Sequence, residues 1–133
     1  VSEHMNAATE CAGTLLIADD NAAVLSMLTV MLERLDYRVL AAKNGVEAVD
    51  LFHRNQDAID LMVLDVVMPK LSGADAALRI REKRPELPLL FISGYADHAL
   101  QQKIKVLDDY HMIPKPLSIA FLGHTIRTLL GKQ

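Results

Sequence analysis

Five side chains stand at or just beyond the ends of short apolar runs: the adjacent aspartates Asp19 and Asp20, then Asp65, Ser93 and Lys115. Three carboxylates held together repel, and at least one pKa would rise without compensation. A divalent cation supplies that compensation. Mg2+ prefers oxygen ligands, keeps several waters, and is usually held by one or two protein carboxylates plus phosphate oxygens. Beside such an ion Asp65 can stay ionised and attack phosphorus, forming an acyl phosphate. The Lys115 ammonium would offset charge on the transferring group, and Ser93 could donate its hydroxyl to a phosphoryl oxygen.

That chemistry requires elements that bring the five residues together. Leu15-Leu16-Ile17-Ala18 reads as a buried strand that stops at the paired aspartates. Val24, Leu28, Met31, Leu32 and Leu35 then recur at helical spacing. Tyr37 to Ala42 reads as a second strand. Asn44 with Glu47 three residues on marks a helix start, and Ala48, Leu51 and Phe52 form its apolar face. Leu61 to Leu64 is a third strand running into Asp65; Ser72 can cap the next helix, with Asp75 at its third position. Pro85 and Pro88 bound a turn before the fourth strand, Leu89 to Ile92, which ends on Ser93-Gly94. A helix of modest amphipathicity is expected over Ala96 to Leu107, a weak fifth strand over Tyr110 to Ile113, and a last helix with Leu122, Ile126, Leu129 and Leu130 on one face.

This alternation is an α/β pattern, (βα)5, and nearly all-apolar strands imply a parallel sheet covered on both faces. Right-handed crossovers then favour a doubly wound, flavodoxin-like five-stranded sheet of order 2-1-3-4-5. Ligands of such sheets sit beyond the carboxyl ends of the strands, where the winding reverses between strands one and three. The aspartates, Ser93 and Lys115 all map to that edge. Capping of the first helix is the competing role for Asp19 and Asp20.

Length and composition narrow the class. The 133 residues fit one domain, expected over 13–131, behind a flexible N-terminal tail or expression remnant over 1–12. Hydrophobic residues make up 51% and charged residues 23%, an ordinary globular profile. A net charge of −3 without a dense basic stretch disfavours direct nucleic-acid binding. No apolar run approaches ~20 residues, so no membrane span is expected. Cys11 is the only cysteine, which excludes an internal disulfide and suits a reducing, cytoplasmic setting. His4, His53, His98, His111 and His124 lack zinc-site spacing. His53, Arg54 and the Arg79–Arg84 stretch read as solvated helix faces.

Over roughly Gly13 to Leu130 the sequence resembles the response-regulator receiver family of two-component signalling systems. The pieces that carry the resemblance are Leu15-Leu16-Ile17-Ala18-Asp19-Asp20-Asn21, Ala42-Lys43-Asn44-Gly45-Val46-Glu47-Ala48, Leu64-Asp65-Val66-Val67-Met68-Pro69-Lys70-Leu71-Ser72-Gly73, Ile92-Ser93-Gly94 and Pro114-Lys115-Pro116. Each is weak alone; all five, in order and at the family's spacing, form a specific pattern. The resemblance implies that Asp65 is phosphorylated, and that Asp20, Asp65 and the backbone carbonyl of Val67 bind Mg2+, with Asp19 acting through metal-bound water. It further implies that Lys115 pairs with the phosphoryl group, that Ser93 moves toward it in the active state, and that the Lys115–Pro116 bond is cis. The donor would be a phosphohistidine of a sensor kinase or a phosphotransfer protein. The output would be a changed protein-interaction face read by a downstream protein or linked domain. Such a domain is not an enzyme in the ordinary sense, though it assists its own phosphorylation and dephosphorylation. The Ser93-Gly94-Tyr95-Ala96 run looks like receivers attached to hybrid histidine kinases.

Three departures stand out. Met112 occupies the position three before the lysine where family members usually carry an aromatic residue, and a phosphorylation-independent pseudo-receiver is therefore the alternative reading. Val67 and Tyr95, two residues after Asp65 and Ser93, flank the family's route for attacking water. Neither is a good base and both are bulky, so slow loss of phosphate is expected. An enzyme on the same architecture fits poorly. A haloacid-dehalogenase-type phosphatase would want an acid where Val67 stands, and Asp19-Asp20 would repel the phosphate of a flavodoxin-like cofactor.

Overall fold

A computed structural model describes residues 12–94 and 98–131. The chain alternates strand and helix throughout: β1 (Gly13–Ala18), α1 (Ala22–Arg34), β2 (Tyr37–Ala42), α2 (Gly45–Arg54), β3 (Leu61–Asp65), α3 (Gly73–Lys83), β4 (Leu89–Ser93), α4 (His98–Ile104), β5 (His111–Pro114) and α5 (Ile119–Gly131). All strand pairs are parallel, in the order β2-β1-β3-β4-β5. This is the expected doubly wound (βα)5 sheet. Cys11 and most of the expected tail lie outside the described residues; Ala12 donates its N–H to Asp36 O at 2.8 Å.

Alternation along the strands divides the core between two faces. Leu15, Ile17, Leu61, Val63, Leu90, Ile92 and Ile113 pack with Leu28 and Leu32 of α1 and with Leu122, Ile126 and Leu129 of α5. Leu16, Ala18, Met62, Leu64, Leu89 and Phe91 face the other way, against α2, α3 and α4, through residues such as Phe52, Ile80 and Ile104. Strands buried on both faces can be apolar at every position, which is why the sequence shows runs rather than alternation. The register sets Ala18 beside Leu64 and Asp65 beside Ile92, so the ends of the central strands are level.

The structure revises several local expectations. The fourth helix ends at Ile104, not Leu107. Tighter turns take over there, with Lys105 N–H on Gln102 O and Leu107 N–H on Ile104 O, and they leave Val106 70% exposed. Ala96, the expected start, lies outside the described residues. The fifth strand is shifted by one, because Tyr110 stands edge-on to Phe91 (centroids 5.9 Å apart) and the ladder begins at His111. Leu35, expected in the apolar stripe of α1, is its C-cap and is exposed.

The Arg79–Arg84 stretch is not simply a solvated face. Arg81 donates from Nε to Leu87 O at 3.0 Å and from Nη2 to the Asp109 carbonyl. Arg84 Nη1 donates to the carbonyls of Gln56 and Ile59, each at 2.6 Å. Both guanidinium groups satisfy loop carbonyls that would otherwise lack partners; periodicity cannot distinguish such an arginine from a solvated one.

Candidate functional site

Asp19 follows the last residue of β1, and a hydrogen bond from its N–H to Ala42 O at 3.1 Å continues the sheet past that point. Its Oδ1 accepts the Asn21 N–H at 2.8 Å. Asn21 is the residue that caps α1, its side chain accepting from Val24 N–H at 3.1 Å. Capping therefore falls to Asn21 and to neither aspartate. Asn21 was missed in the sequence because the two acids beside it are equally good caps by type.

Asp65 ends β3. The following N–H, of Val66, pairs with Ile92 O at 3.0 Å, and Gly73 N–H returns to Val66 O at 2.8 Å. The start of α3 thus lies directly against the backbone of the acid: a Cβ on Gly73 would fall 2.1 Å from Asp65 O. Gly45, opening α2, is equally constrained, since a Cβ there would fall 2.0 Å from Leu71 O. These two glycines let both helices close on the loop that carries Asp65.

Asp19, Asp20 and Asp65 each offer a carboxylate oxygen, and these oxygens lie within 4.8 Å of one another. Asp65 and Asp19 are buried, whereas Asp20 is exposed. Lys115 approaches from the far side of β4, beyond β5, behind the cis Lys115–Pro116 bond. Its Nζ donates to Asp65 Oδ2 at 3.4 Å and lies 3.2 Å from Oδ1. Lys115 N–H is anchored on Ser93 O at 2.9 Å, which ties the lysine to the end of β4. The four charged residues line a cleft of about 590 Å³, with Val24, Ile92 and Leu117 as apolar wall.

Burial pushes the Asp65 carboxyl up to about 6; the Asp19 charge adds to the rise and Lys115 offsets part of it. Burial also raises Asp19, against the lowering effects of the Asn21 N–H and Lys115. One lysine thus leaves the acidic cluster undercompensated. Asp65 Oδ1 is moreover fully buried and accepts no hydrogen bond, despite the nearby ammonium. A buried carboxylate oxygen that accepts no hydrogen bond, in a cluster with two more carboxylates, suits a hard cation that takes oxygen ligands.

Asp19, Asp20, Asp65 and Lys115 are therefore brought together as the sequence predicts. Ser93 and Val67 stand apart from that cleft. Ser93 lines a smaller neighbouring recess with Gly94, His98, Gln101 and Met112, and Gln101 Nε2 donates to its hydroxyl at 2.6 Å. Val67 carries an exposed side chain in the loop after β3. Met112 is partly buried against the α2–α4 side of the core, while Tyr110 meets Phe91 edge-on. Tyr95 lies outside the described residues. Gln101 gave no signal in the sequence, since one glutamine on a short polar helix matches no motif.

Comparison with known proteins places this geometry. The model of the response regulator receiver domain matches residues 15–127. The sensor kinase CckA of Brucella abortus (strain 2308) is 32% identical over 128 residues, covering 95% of this chain and 14% of that protein. The response regulator MprA of Mycobacterium sp. (strain KMS) is 35% identical over 122 residues, covering 89% of this chain and 50% of that protein. The chain thus spans between about one seventh and one half of these curated relatives. Among solved structures, a response regulator receiver domain protein from Clostridium thermocellum superposes with a TM-score of 0.82 at 25% identity, covering 90% of this chain and 95% of that one.

Proposed function

This chain belongs to the response regulator receiver domain family, and from that premise we propose that Asp65 is its phospho-acceptor. The single observation that carries the reading is the Asp65 carboxylate itself: buried, paired with Lys115 on one oxygen, and left without a donor on the other. An Asp65 oxygen attacks the phosphorus of a phosphohistidine. The P–O bond forms as the P–N bond breaks, and the leaving imidazole keeps the bonding electron pair and becomes neutral. Lys115 stays beside the oxygens that carry the transferred charge, and Ser93 turns its hydroxyl toward one of them.

Asp20, Asp65 and the Val67 carbonyl would hold Mg2+, with Asp19 acting through a metal-bound water. The ion supplies electrostatic stabilisation of the phosphoryl oxygens. The chain's own contribution is to keep the acceptor oxygen in place and to limit water at the cleft through Val24, Ile92 and Leu117. By assisting transfer and later hydrolysis the domain acts on itself, without turning over a separate substrate.

The domain we assign runs over 13–131. Its donor would be a sensor histidine kinase or histidine phosphotransfer protein. The added charge shifts the population between two states of the face formed by α4, β5 and α5, which a downstream protein or linked domain reads. A hybrid kinase is a fitting parent, given relatives named as sensor kinases. A cytoplasmic setting and no direct contact with nucleic acid belong to the same reading. Among the described residues no helix is long and apolar enough to cross a membrane.

The test is intact-mass measurement after incubation with acetyl phosphate and Mg2+. The parent should gain one phosphate and Asp65→Asn none. Equal labelling of the two would move the acceptor elsewhere. No labelling of the parent would favour the phosphorylation-independent module, which Met112 in place of the usual aromatic residue suits.

A further inference from the structure

Ser93 closes β4 and is buried. Its hydroxyl oxygen accepts from Gln101 Nε2 at 2.6 Å, and the hydroxyl reaches Gly94 O at 3.3 Å, long for an O–H···O bond. Of these two bonds the short one runs to α4, while Asp65 Oδ1 accepts no hydrogen bond. Gln101 sits in the middle of α4 and lines the recess of about 230 Å³ beside Met112 and Pro114. Besides its apolar contacts through Leu100 and Ile104, α4 is tied by Lys103 Nζ to Asp75 of α3 at 3.2 Å. With 7 residues it is the shortest helix among the described residues, too short to be stable on its own. A polar bond into the sheet edge is therefore a considerable share of what docks it.

We propose that Gln101 is a positioning residue for Ser93: it holds the hydroxyl toward α4 and away from Asp65 in the unphosphorylated chain. This rests on the reading of Asp65 as phospho-acceptor and adds the group that sets its partner's starting position. Gln101 uses an acceptor site of the Ser93 oxygen and not its O–H, so what the bond fixes is the position of the oxygen. Swinging that oxygen toward a phosphoryl group on Asp65 breaks the bond and releases one tie of α4. Coupling of this kind is reciprocal. Whatever weakens the Gln101–Ser93 bond favours the phosphorylated arrangement, and phosphorylation weakens the bond.

A double-mutant cycle over Gln101→Ala and Ser93→Ala tests this, with Gln101→Met as a second variant that keeps the stem and removes the donor. Two readouts are needed. Urea unfolding of the unphosphorylated proteins should show coupling: the two single substitutions change the unfolding constant by about threefold or more beyond what the double variant requires. Labelling by acetyl phosphate with Mg2+ should be about threefold to tenfold faster in Gln101→Ala and Gln101→Met than in the parent, and the acceleration should vanish in the Ser93→Ala background.

The proposal is overturned by an absence of coupling in urea, by unchanged labelling rates, or by an acceleration that persists without the Ser93 hydroxyl. The last result would mean a general loosening of α4. A parent that takes no phosphate, or an Asp65→Asn variant labelled equally, sinks the phospho-acceptor reading instead. It removes the positioning role too, even where urea coupling shows that the bond is real, so the two failures are told apart.

Discussion

Lys115 Nζ lies 3.2 Å from Asp65 Oδ1 and 3.4 Å from Oδ2, yet it forms its hydrogen bond with the more distant oxygen. Oδ1 thus accepts no hydrogen bond although the ammonium is close, and the carboxylate shares its pocket with those of Asp19 and Asp20. The arrangement makes ionisation of Asp65 harder than for an ordinary aspartate.

A pH-dependent stability follows in metal-free buffer. The folded Asp65 pKa, about 6, stands above its ordinary value of 3.8. Between those values the native state binds more protons than the unfolded chain, so stability falls as pH rises through the window. Two units correspond to a loss on the order of 2–3 kcal/mol at pH 7. Asp65→Asn removes that cost. Its urea midpoint in EDTA should exceed the parent's at pH 7, and the difference should shrink toward pH 4. A variant less stable than the parent at pH 7 would show that the Lys115 pair outweighs burial.

Adding Mg2+ should reverse part of that penalty. An ion that binds only the folded state at ten times its Kd adds about 1.4 kcal/mol, or a Tm rise of several degrees for a domain of this size. Asp20 is exposed and unconstrained by the core, so Asp20→Ala should fold and lose most of the rise. Full retention of the Mg2+ shift in that variant would place the ion elsewhere.

Two glycine-to-alanine substitutions should act in opposite directions. At Gly73 the new methyl would fall 2.1 Å from Asp65 O, so strand end and helix start must separate. Overpacking of this kind costs about 1–3 kcal/mol, and phosphate uptake should fall with it because the acceptor's backbone moves. Gly123 lies within α5, where a methyl meets only Leu35 Cδ1 at 3.6 Å, an ordinary contact. There alanine should add about 0.5–1 kcal/mol by reducing the freedom of the unfolded chain. Urea unfolding of both variants reads the contrast; destabilisation of equal size at both sites would refute the distinction.

Architecture was legible in the sequence because four apolar runs, each running straight into a polar residue, and a weaker fifth recur between helical stripes. Parallel strands buried on both faces write that pattern directly, and it delivered Asp19, Asp20, Asp65 and Lys115 to one cleft. What stayed hidden depends on contacts between residues far apart in sequence. Arg81 and Arg84 look like surface charges until the carbonyls of Asp109, Gln56 and Ile59 arrive beside them. Asn21 could not be chosen over its acidic neighbours as the helix cap. Gln101 acquires a role only because α4 lies beside the end of β4. The early stop of α4 at Ile104 was equally invisible, as Lys105 and Leu107 beyond it are good helix formers by type.

On the proposed reading, Val67 should prolong the phosphorylated state. Hydrolysis of an acyl phosphate needs a water in line at phosphorus, and orienting that water is the service a side chain can offer. Val67, two residues after Asp65 and 47% exposed, has no polar atom with which to do so. An asparagine there could hold the water through its amide, so Val67→Asn should shorten the phosphate half-life several-fold, followed by intact mass after removal of the donor. The family resemblance assigns Tyr95 to the same water route, so Tyr95→Ala should shorten it as well, and the two effects should multiply. Half-lives equal to or longer than the parent's in both variants would mean that neither side chain limits water, and that the rate is set by Lys115 and the ion alone.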